Sequence, residues 1–330
     1  MRMTPDQLFA SLDLDDDGQL SREDLGGAAR ALGWHWPQSR LYAVLDRLCL
    51  AGPLDRAAFH DCLECMASDP LGPFGQVLLR AHGPPVTDAD GAPDAGGPPD
   101  PCPRGTSVVE LLDRTGHRQA ADDLRAAMAA AAAAPVKLST DRGAMLLIDP
   151  QRSFTRGSWA ESLGPDGGDQ VAPIALAFAR CARLLGGPGP RPDVMFTRCP
   201  FPPESYDWDE AIAAVLPGDQ PYFVKPGNSV LWPPTNGFED WTRRQLDHGR
   251  SALVIGGCTL NSCVRVSASE TQRLLGPAGL QVIVDLGLAG ARQDNYLRSP
   301  QFGDRSSVAA AIEEMRAEGV TVTTGVTWQD

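Results

Sequence analysis

Nowhere in these 330 residues is there an apolar run approaching the roughly eighteen needed to cross a bilayer, which excludes a membrane-spanning helix. Positive charge is also short. Against 42 Asp and Glu stand 29 Lys and Arg, a net charge of -13, so the summed field repels nucleic acid and anionic lipid surfaces. Histidine is scarce as well, five in the whole chain, and past residue 141 only His248 remains, so a histidine-built metal centre is not expected there. The opening residues, Met1 to Asp6, lack the basic-then-apolar leader of a secreted protein, and the expectation is a cytoplasmic one. Eight irregularly spaced cysteines then read as reduced thiols, not as a disulfide framework.

What is present falls into four stretches. Residues 1–70 are helical in pattern and acidic, with twelve Asp and Glu against six Arg. Residues 71–105 form a linker, because twelve of the 23 positions from Gly83 to Gly105 are Gly or Pro and no core can be built from them. Residues 106–140 are a helical lead-in, Val108 to Leu112 followed by an Ala-rich run from Gln119 that Pro135 stops. Residues 141–330 alternate short apolar runs with amphipathic stretches, the pattern of repeated βα units around a parallel sheet. The strands are expected at Ala144–Ile148, Pro192–Thr197, Tyr222–Val224, Ala252–Ile255, Leu280–Val284 and Val320–Thr324, with helices at 171–185, 207–215, 238–248, 263–275 and 306–318.

In the first stretch Asp13, Asp15, Asp17, Gly18, Gln19, Leu20, Ser21 and Asp24 occupy the ligand, turn and core positions of an EF-hand loop. Alternate oxygens of such a loop converge on one hard cation, and the glycine permits the sharp bend. A second hand is visible in outline, with Gly52, Leu54 and Phe59 in the register of Gly18, Leu20 and Leu25. It carries Arg47, Cys49, Ala51 and Ala58 at the ligand positions, so it reads as a structural partner that pairs through Leu54 and Leu20. The expected ligands of one Ca²⁺ or Mg²⁺ are therefore Asp13, Asp15, Asp17, Gln19 and Asp24. Asp24, shorter than the usual Glu, weakens coordination or shifts it toward Mg²⁺.

In the last stretch three reactive residues follow three strands: Asp149 in Ile148-Asp149-Pro150-Gln151, Lys225 in Val224-Lys225-Pro226-Gly227-Asn228-Ser229, and Cys263 in Gly257-Cys258-Thr259-Leu260-Asn261-Ser262-Cys263-Val264. With Asp149, Gln151 and Phe154 as the first element, Lys225 and Ser229 as the second and Gly257, Cys263 and Val264 as the third, the chain resembles the isochorismatase-like cysteine hydrolases, the superfamily that includes nicotinamidase-related amidohydrolases. Leu260 stands where that pattern has Thr. The resemblance implies a three-layer α/β/α fold with a six-stranded parallel sheet, joined here to a small all-α EF-hand pair. It also implies a Cys-Asp-Lys triad of Cys263, Asp149 and Lys225, an oxyanion hole from the backbone N–H groups of Thr259 and Cys263, a cis peptide between Cys258 and Thr259, and self-association.

The chemistry is consistent with that pattern. A free thiol is only slightly ionised at neutral pH, so a nucleophilic cysteine needs a nearby cation and a base, here Lys225 and Asp149. The Thr197-Arg198-Cys199-Pro200-Phe201 segment lacks the histidines of nicotinamidases, so no metal is expected in this domain. The expected partner is a small amide, ureido or related acyl substrate, with Arg152, Arg198 and the aromatics Phe154, Trp159, Phe201, Tyr206, Trp208 and Trp232 as candidate contacts. The alternative is a non-catalytic, cation-responsive binding protein with a hydrolase-like ligand domain.

Overall fold

The structure, a computed structural model, describes residues 9–10, 13, 17–21, 24, 54–59, 107–131, 135–164, 167–201 and 203–330. The expected linker at 71–105, Asp15 and most of the expected EF-hand pair lie outside them.

Near the start, β1 (Gln19–Leu20) and β2 (Leu54–Asp55) pair antiparallel with Leu20 opposite Leu54. That is the pairing expected from the 34-residue register. Leu20 is buried against Phe9 and Phe59, whose rings meet edge-on at 5.6 Å.

Further on come two helices, α1 (Val108–Arg114) and α2 (Arg118–Ala131). Ser107 starts α1 with a reciprocal cap, its hydroxyl accepting from the Glu110 N–H while the Glu110 carboxylate accepts from the Ser107 N–H. Then follow β3 (Val136–Ser139), β4 (Gly143–Ile148), α3 (Gly167–Gly186), β5 (Asp193–Arg198), β6 (Tyr222–Val224), α4 (Phe238–Asp247), β7 (Ala252–Cys258), α5 (Arg265–Leu275) and β8 (Gln281–Gly290). The chain closes with the short antiparallel pair β9 (Arg298–Ser299) and β10 (Arg305–Ser306), then α6 (Ser307–Ala317), β11 (Thr321–Thr323) and β12 (Val326–Gln329).

Six of these strands form one parallel sheet in the order β11-β8-β7-β4-β5-β6. They are the six expected from the apolar runs. Every residue of β4 is buried, as a strand covered on both faces must be. Alternation then divides the core. Ala144, Leu146 and Ile148 face one layer with Leu253, Ile255, Val282 and Val284, against Phe238 and Trp241 of α4, Ala268 of α5 and Ile312 of α6. Met145 and Leu147 face the other with Val254 and Ile283, against Val171, Ile174, Phe178 and Cys181 of α3. A helix layer on each side of the sheet makes the α/β/α sandwich. Among the described residues no helix is long and apolar enough to cross a membrane.

Three features differ from the sequence reading. The expected helix at 207–215 shrinks to Glu210–Ala213, because residues 207–209 bond instead to the loop after β4: Arg152 N–H donates to the Asp207 carbonyl and Asp209 N–H to that of Pro150. Asp209 then caps the short helix through the Ala211 N–H. The second is the parallel pairing of β3 with β12, outside the main sheet. Third, β8 runs on to Gly290 past a register shift opposite Gly257.

Candidate active site

In this topology the chain leaves β4 toward β5 and β6 on one side, then returns to place β7 on the other. The carboxyl ends of β4 and β7 therefore flank the point where the connections reverse, which is where open α/β sheets hold ligands. Asp149 follows β4 there with φ of 47°, in the left-handed region that a side chain with Cβ occupies only when the surroundings enforce it. Gly257 comes alongside with φ of 103°, and a Cβ at that position would collide with the Ile148 carbonyl. Only glycine lets β7 approach the end of β4 so closely. The next peptide, Cys258–Thr259, is cis, as the resemblance implies.

Asp149 and Lys225 are both fully buried, and the Lys225 Nζ stands 2.7 Å from Asp149 Oδ2. Three further groups complete the surroundings of the pair. Thr197 donates its hydroxyl to Asp149 Oδ1 at 2.5 Å and accepts the Asp149 N–H at 3.0 Å. Cys199 donates its thiol to Asp149 Oδ2 at 3.1 Å and lies 3.8 Å from Lys225 Nζ. Lys225 also donates to the Gly227 carbonyl at 2.7 Å. Burial by itself would lower the Lys225 pKa, but the charge of Asp149 and its hydrogen bond outweigh it and hold the ammonium well above its ordinary range. Two charges are thus kept out of bulk solvent because they hold each other and are bonded on their remaining sides.

Cys263 occupies the π-helical turn Leu260–Val264 that leads into α5, two residues before the regular helix begins. It is fully buried, and its thiol donates to Asn228 Oδ1 at 3.2 Å. The loop that carries Lys225 also carries Asn228, so this contact sets Cys263 at the same end of the sheet as the Asp149–Lys225 pair. The three expected catalytic residues are therefore drawn to one end of the sheet, with Asp149 and Lys225 in direct contact. Thr259 is buried at the start of the same turn, its carbonyl accepting the N–H groups of Ser262 and Val264.

Two more sulfurs crowd this centre. Cys258 donates to the Asp149 carbonyl at 3.4 Å. Burial first, and then the charge of Asp149, push the Cys199 and Cys258 thiols well above the usual range, so both keep their protons at neutral pH. The sign of the stability linkage follows. In the unfolded chain these thiols ionise near pH 9.0, while in the folded protein they stay protonated, so the stability they contribute is complete below that value. It is lost as pH climbs toward the folded-state values, by up to about 1.4 kcal/mol per thiol per pH unit. Melting temperature should hold level between pH 7 and 8 and drop steeply from pH 9 to 10, and Cys258→Ala should reduce that slope. A melting temperature that stays flat through pH 10 would contradict this account.

Thr197, Cys199 and Asn228 are the groups that reading the sequence did not single out for the site. Each reaches it from a neighbouring strand or loop, a relation that linear spacing does not carry. Gln151, part of the first motif, is fully buried and acts on the backbone: its Nε2 donates to the carbonyls of Cys199 and Tyr206, both at 3.0 Å, and its Oε1 accepts the Cys199 N–H at 2.6 Å. It fixes the Cys199 segment against Asp149. Gln151→Leu removes three buried hydrogen bonds to the backbone, leaving the Cys199 carbonyl only the Phe201 N–H, and should cost about 3 kcal/mol in urea-unfolding stability. A loss under about 1 kcal/mol would mean that the segment holds its place without the amide.

Several candidate substrate contacts are engaged with other protein groups. Phe154, Trp159 and Phe201 are buried and pack on one another, with centroids 5.1 Å apart in two pairs. Arg198 points to the sheet face opposite Thr197 and Cys199, where its guanidinium lies over Trp208 at 3.7 Å, Tyr222 at 4.4 Å and Tyr206 at 4.7 Å. Arg152 and His248 are exposed.

In the amino-terminal loop, Asp13 accepts the N–H groups of Asp17 at 3.2 Å and Gly18 at 3.0 Å, and Asp17 accepts that of Gln19 at 2.8 Å. Gly18 makes the bend with φ of 80°. Asp24 is buried and accepts both the N–H and the hydroxyl of Ser21. Among the described residues, no three His, Cys, Asp or Glu side chains are grouped to hold a metal, and Asp15 lies outside them.

The chain matches no protein-family model and no curated protein. Solved structures do resemble it. A protein named PnC1 from L. infantum, crystallised with nicotinate, is 12% identical and covers 59% of this chain and 100% of its own, with a TM-score of 0.42. N-carbamoylsarcosine amidase from Thermoplasma acidophilum is 18% identical over 55% of this chain and 95% of its own, TM-score 0.35. The YcaC gene product of Escherichia coli, described as an octameric hydrolase of unknown specificity, is 22% identical over 58% of this chain and 79% of its own, TM-score 0.36.

Proposed function

We propose that the chain is a cysteine hydrolase that cleaves the C–N bond of a small amide, ureido or related acyl compound through a thioester on Cys263. The observation that carries this reading is the fully buried Asp149–Lys225 pair, 2.7 Å apart, at the end of the sheet where the loop bearing Lys225 also meets the Cys263 thiol through Asn228. Asp149 takes the thiol proton as the sulfur attacks the acyl carbon. Lys225 stabilises the sulfur while it is negative, and the N–H groups of Thr259 and Cys263 receive the oxyanion. Collapse expels the amine, which leaves with the proton held by Asp149, and water then opens the thioester to release the acid. Of the thiols at this centre, Cys263 is the reactive one in this reading, because it lies in the turn that opens α5, beside the Thr259 N–H, whereas Cys199 and Cys258 donate to Asp149 itself.

An ammonia-release screen over small amides and ureido acids tests it, with Cys263→Ala as the blank. Release by the native chain and none by the variant is expected. Equal release by both would end the reading, and a purely ligand-binding domain would release none with either while iodoacetamide labelled its cysteines indifferently.

We propose in addition that Asp13, Asp15, Asp17, Gln19 and Asp24 hold one divalent cation, Ca²⁺ or Mg²⁺. Oxygen donors, the Gly18 bend and the closure of Asp13 over the Asp17 and Gly18 N–H groups fit a hard cation. Pairing of Leu20 with Leu54 fits a degenerate second hand as its support. Calorimetric titration of the full chain should show one binding event for Ca²⁺ or Mg²⁺, abolished in Asp13→Asn/Asp17→Asn. No heat at millimolar metal would remove this proposal.

A further inference from the structure

The loop after β6 carries Lys225 to one side of the site and Asn228 to the other, and side-chain bonds attach it to the helix that bears the nucleophile. Asn228 is nearly fully buried. Its Oδ1 accepts from the Cys263 thiol and from the Ser262 hydroxyl, each at 3.2 Å, while its backbone carbonyl accepts from the Ser267 hydroxyl at 3.0 Å. Ser267 in turn accepts the Val230 N–H at 3.0 Å, and Ser229 bonds to Glu270 one turn along α5. The carboxamide is thereby fixed, with its oxygen aimed at the sulfur.

A carbonyl oxygen accepts a proton and donates none. Bonded to a thiol it favours S–H over S⁻, and it sets the direction in which the S–H bond points. We propose that Asn228 is a positioning residue that holds Cys263 as an oriented, protonated thiol until substrate arrives. This rests on the cysteine-hydrolase reading for its purpose, and on the Asn228–Cys263 contact for its substance. In that scheme no free thiolate stands in the empty site. The proton passes to Asp149 only when an acyl group takes the place of the Asn228 contact, so activation is coupled to binding.

The titratable groups around this end of the sheet come from each neighbouring element: Asp149 after β4, paired with Lys225 after β6, Cys199 after β5 and Cys258 at the end of β7, both bonded to Asp149, and Glu270 on α5, bonded to Ser229. None of them is altered by exchanging residue 228, so that exchange isolates the amide.

The test is the pH dependence of iodoacetamide alkylation at Cys263, followed by peptide mass mapping in the full-length native chain, Asn228→Ala and Asn228→Asp. Removing the acceptor should lower the alkylation midpoint and speed labelling at pH 7 about threefold to tenfold. A carboxylate in its place should raise the midpoint by about one pH unit or more and slow labelling, because the thiolate then faces a like charge. Shifts in opposite directions are the signature, since loosening of the fold would speed labelling in both variants. Midpoints equal to the native one in both, with melting curves unchanged, would overturn the proposal. So would acceleration in both, and if Asn228→Ala fails to fold, the near-isosteric Asn228→Asp decides alone, a midpoint at or below the native one overturning the proposal. Alkylation needs no substrate, so these outcomes stand whatever the ammonia-release screen returns.

Discussion

Lys225→Met should unfold at a markedly lower temperature than the native chain, with a stability loss of about 3–5 kcal/mol, the usual cost of removing one partner from a buried ion pair. Both side chains are fully buried, so the Asp149 carboxylate left behind has no water to turn to. It keeps the Thr197 hydroxyl and the Cys199 thiol as donors, but these are neutral and do not replace an ammonium at 2.7 Å. For a domain of this size the loss corresponds to roughly 6–20 °C in melting temperature. Adding Asp149→Asn to Lys225→Met should return part of it, because the second change removes the orphaned charge. The comparison matters more than either value. A single variant within about 2 °C of native would show that the pair is not sealed from solvent as its geometry indicates.

Asp149→Asn should lower turnover on any substrate found in the screen by roughly 10²–10⁴-fold, the range spanned by general acid–base groups, with KM little changed. The carboxamide keeps the shape and an acceptor oxygen but takes no proton from Cys263 and returns none to the leaving amine. The effect should appear in kcat and kcat/KM together, as for a group that acts only in the transition state. Cys199→Ala supplies the contrast. Its thiol touches the same carboxylate, yet it holds its proton, and its removal should leave turnover within about tenfold of native. If Cys199→Ala abolished ammonia release and Cys263→Ala did not, the nucleophile would have been assigned to the wrong sulfur.

The parts of this molecule legible in the sequence are those encoded by local composition. Ala144–Ile148 and Ala252–Ile255 are apolar without interruption because the finished strands are covered on both faces, and that alone marks them. Asp149, Lys225 and Cys263 could be picked out because each follows an expected strand and because, in that order, they match the motifs of the superfamily that the chain resembles. Residues 207–209 could not be read correctly, since their helical pattern loses to backbone bonds offered from Pro150 and Arg152, far away in sequence. The same holds for Thr197 and Asn228, ordinary polar residues whose meaning depends on which strand lies beside them. Val136–Ser139, a short run after an Ala-rich helix, becomes a strand only because Val326–Gln329 returns to pair with it.

The position of β4 has a consequence for how the protein is made. It is the first of the six strands to leave the ribosome, yet it ends in the middle of the sheet, with β5 and β7 as neighbours. Until Ala252 to Cys258 have been synthesised, one flank of β4 is an open hydrogen-bonding edge on a strand whose residues are all buried in the finished protein. Nascent chains arrested before that point carry the very edge that recruits other chains, so they should aggregate or require a chaperone, whereas chains arrested after Gly290 have both flanks of β4 paired and should stay dispersed.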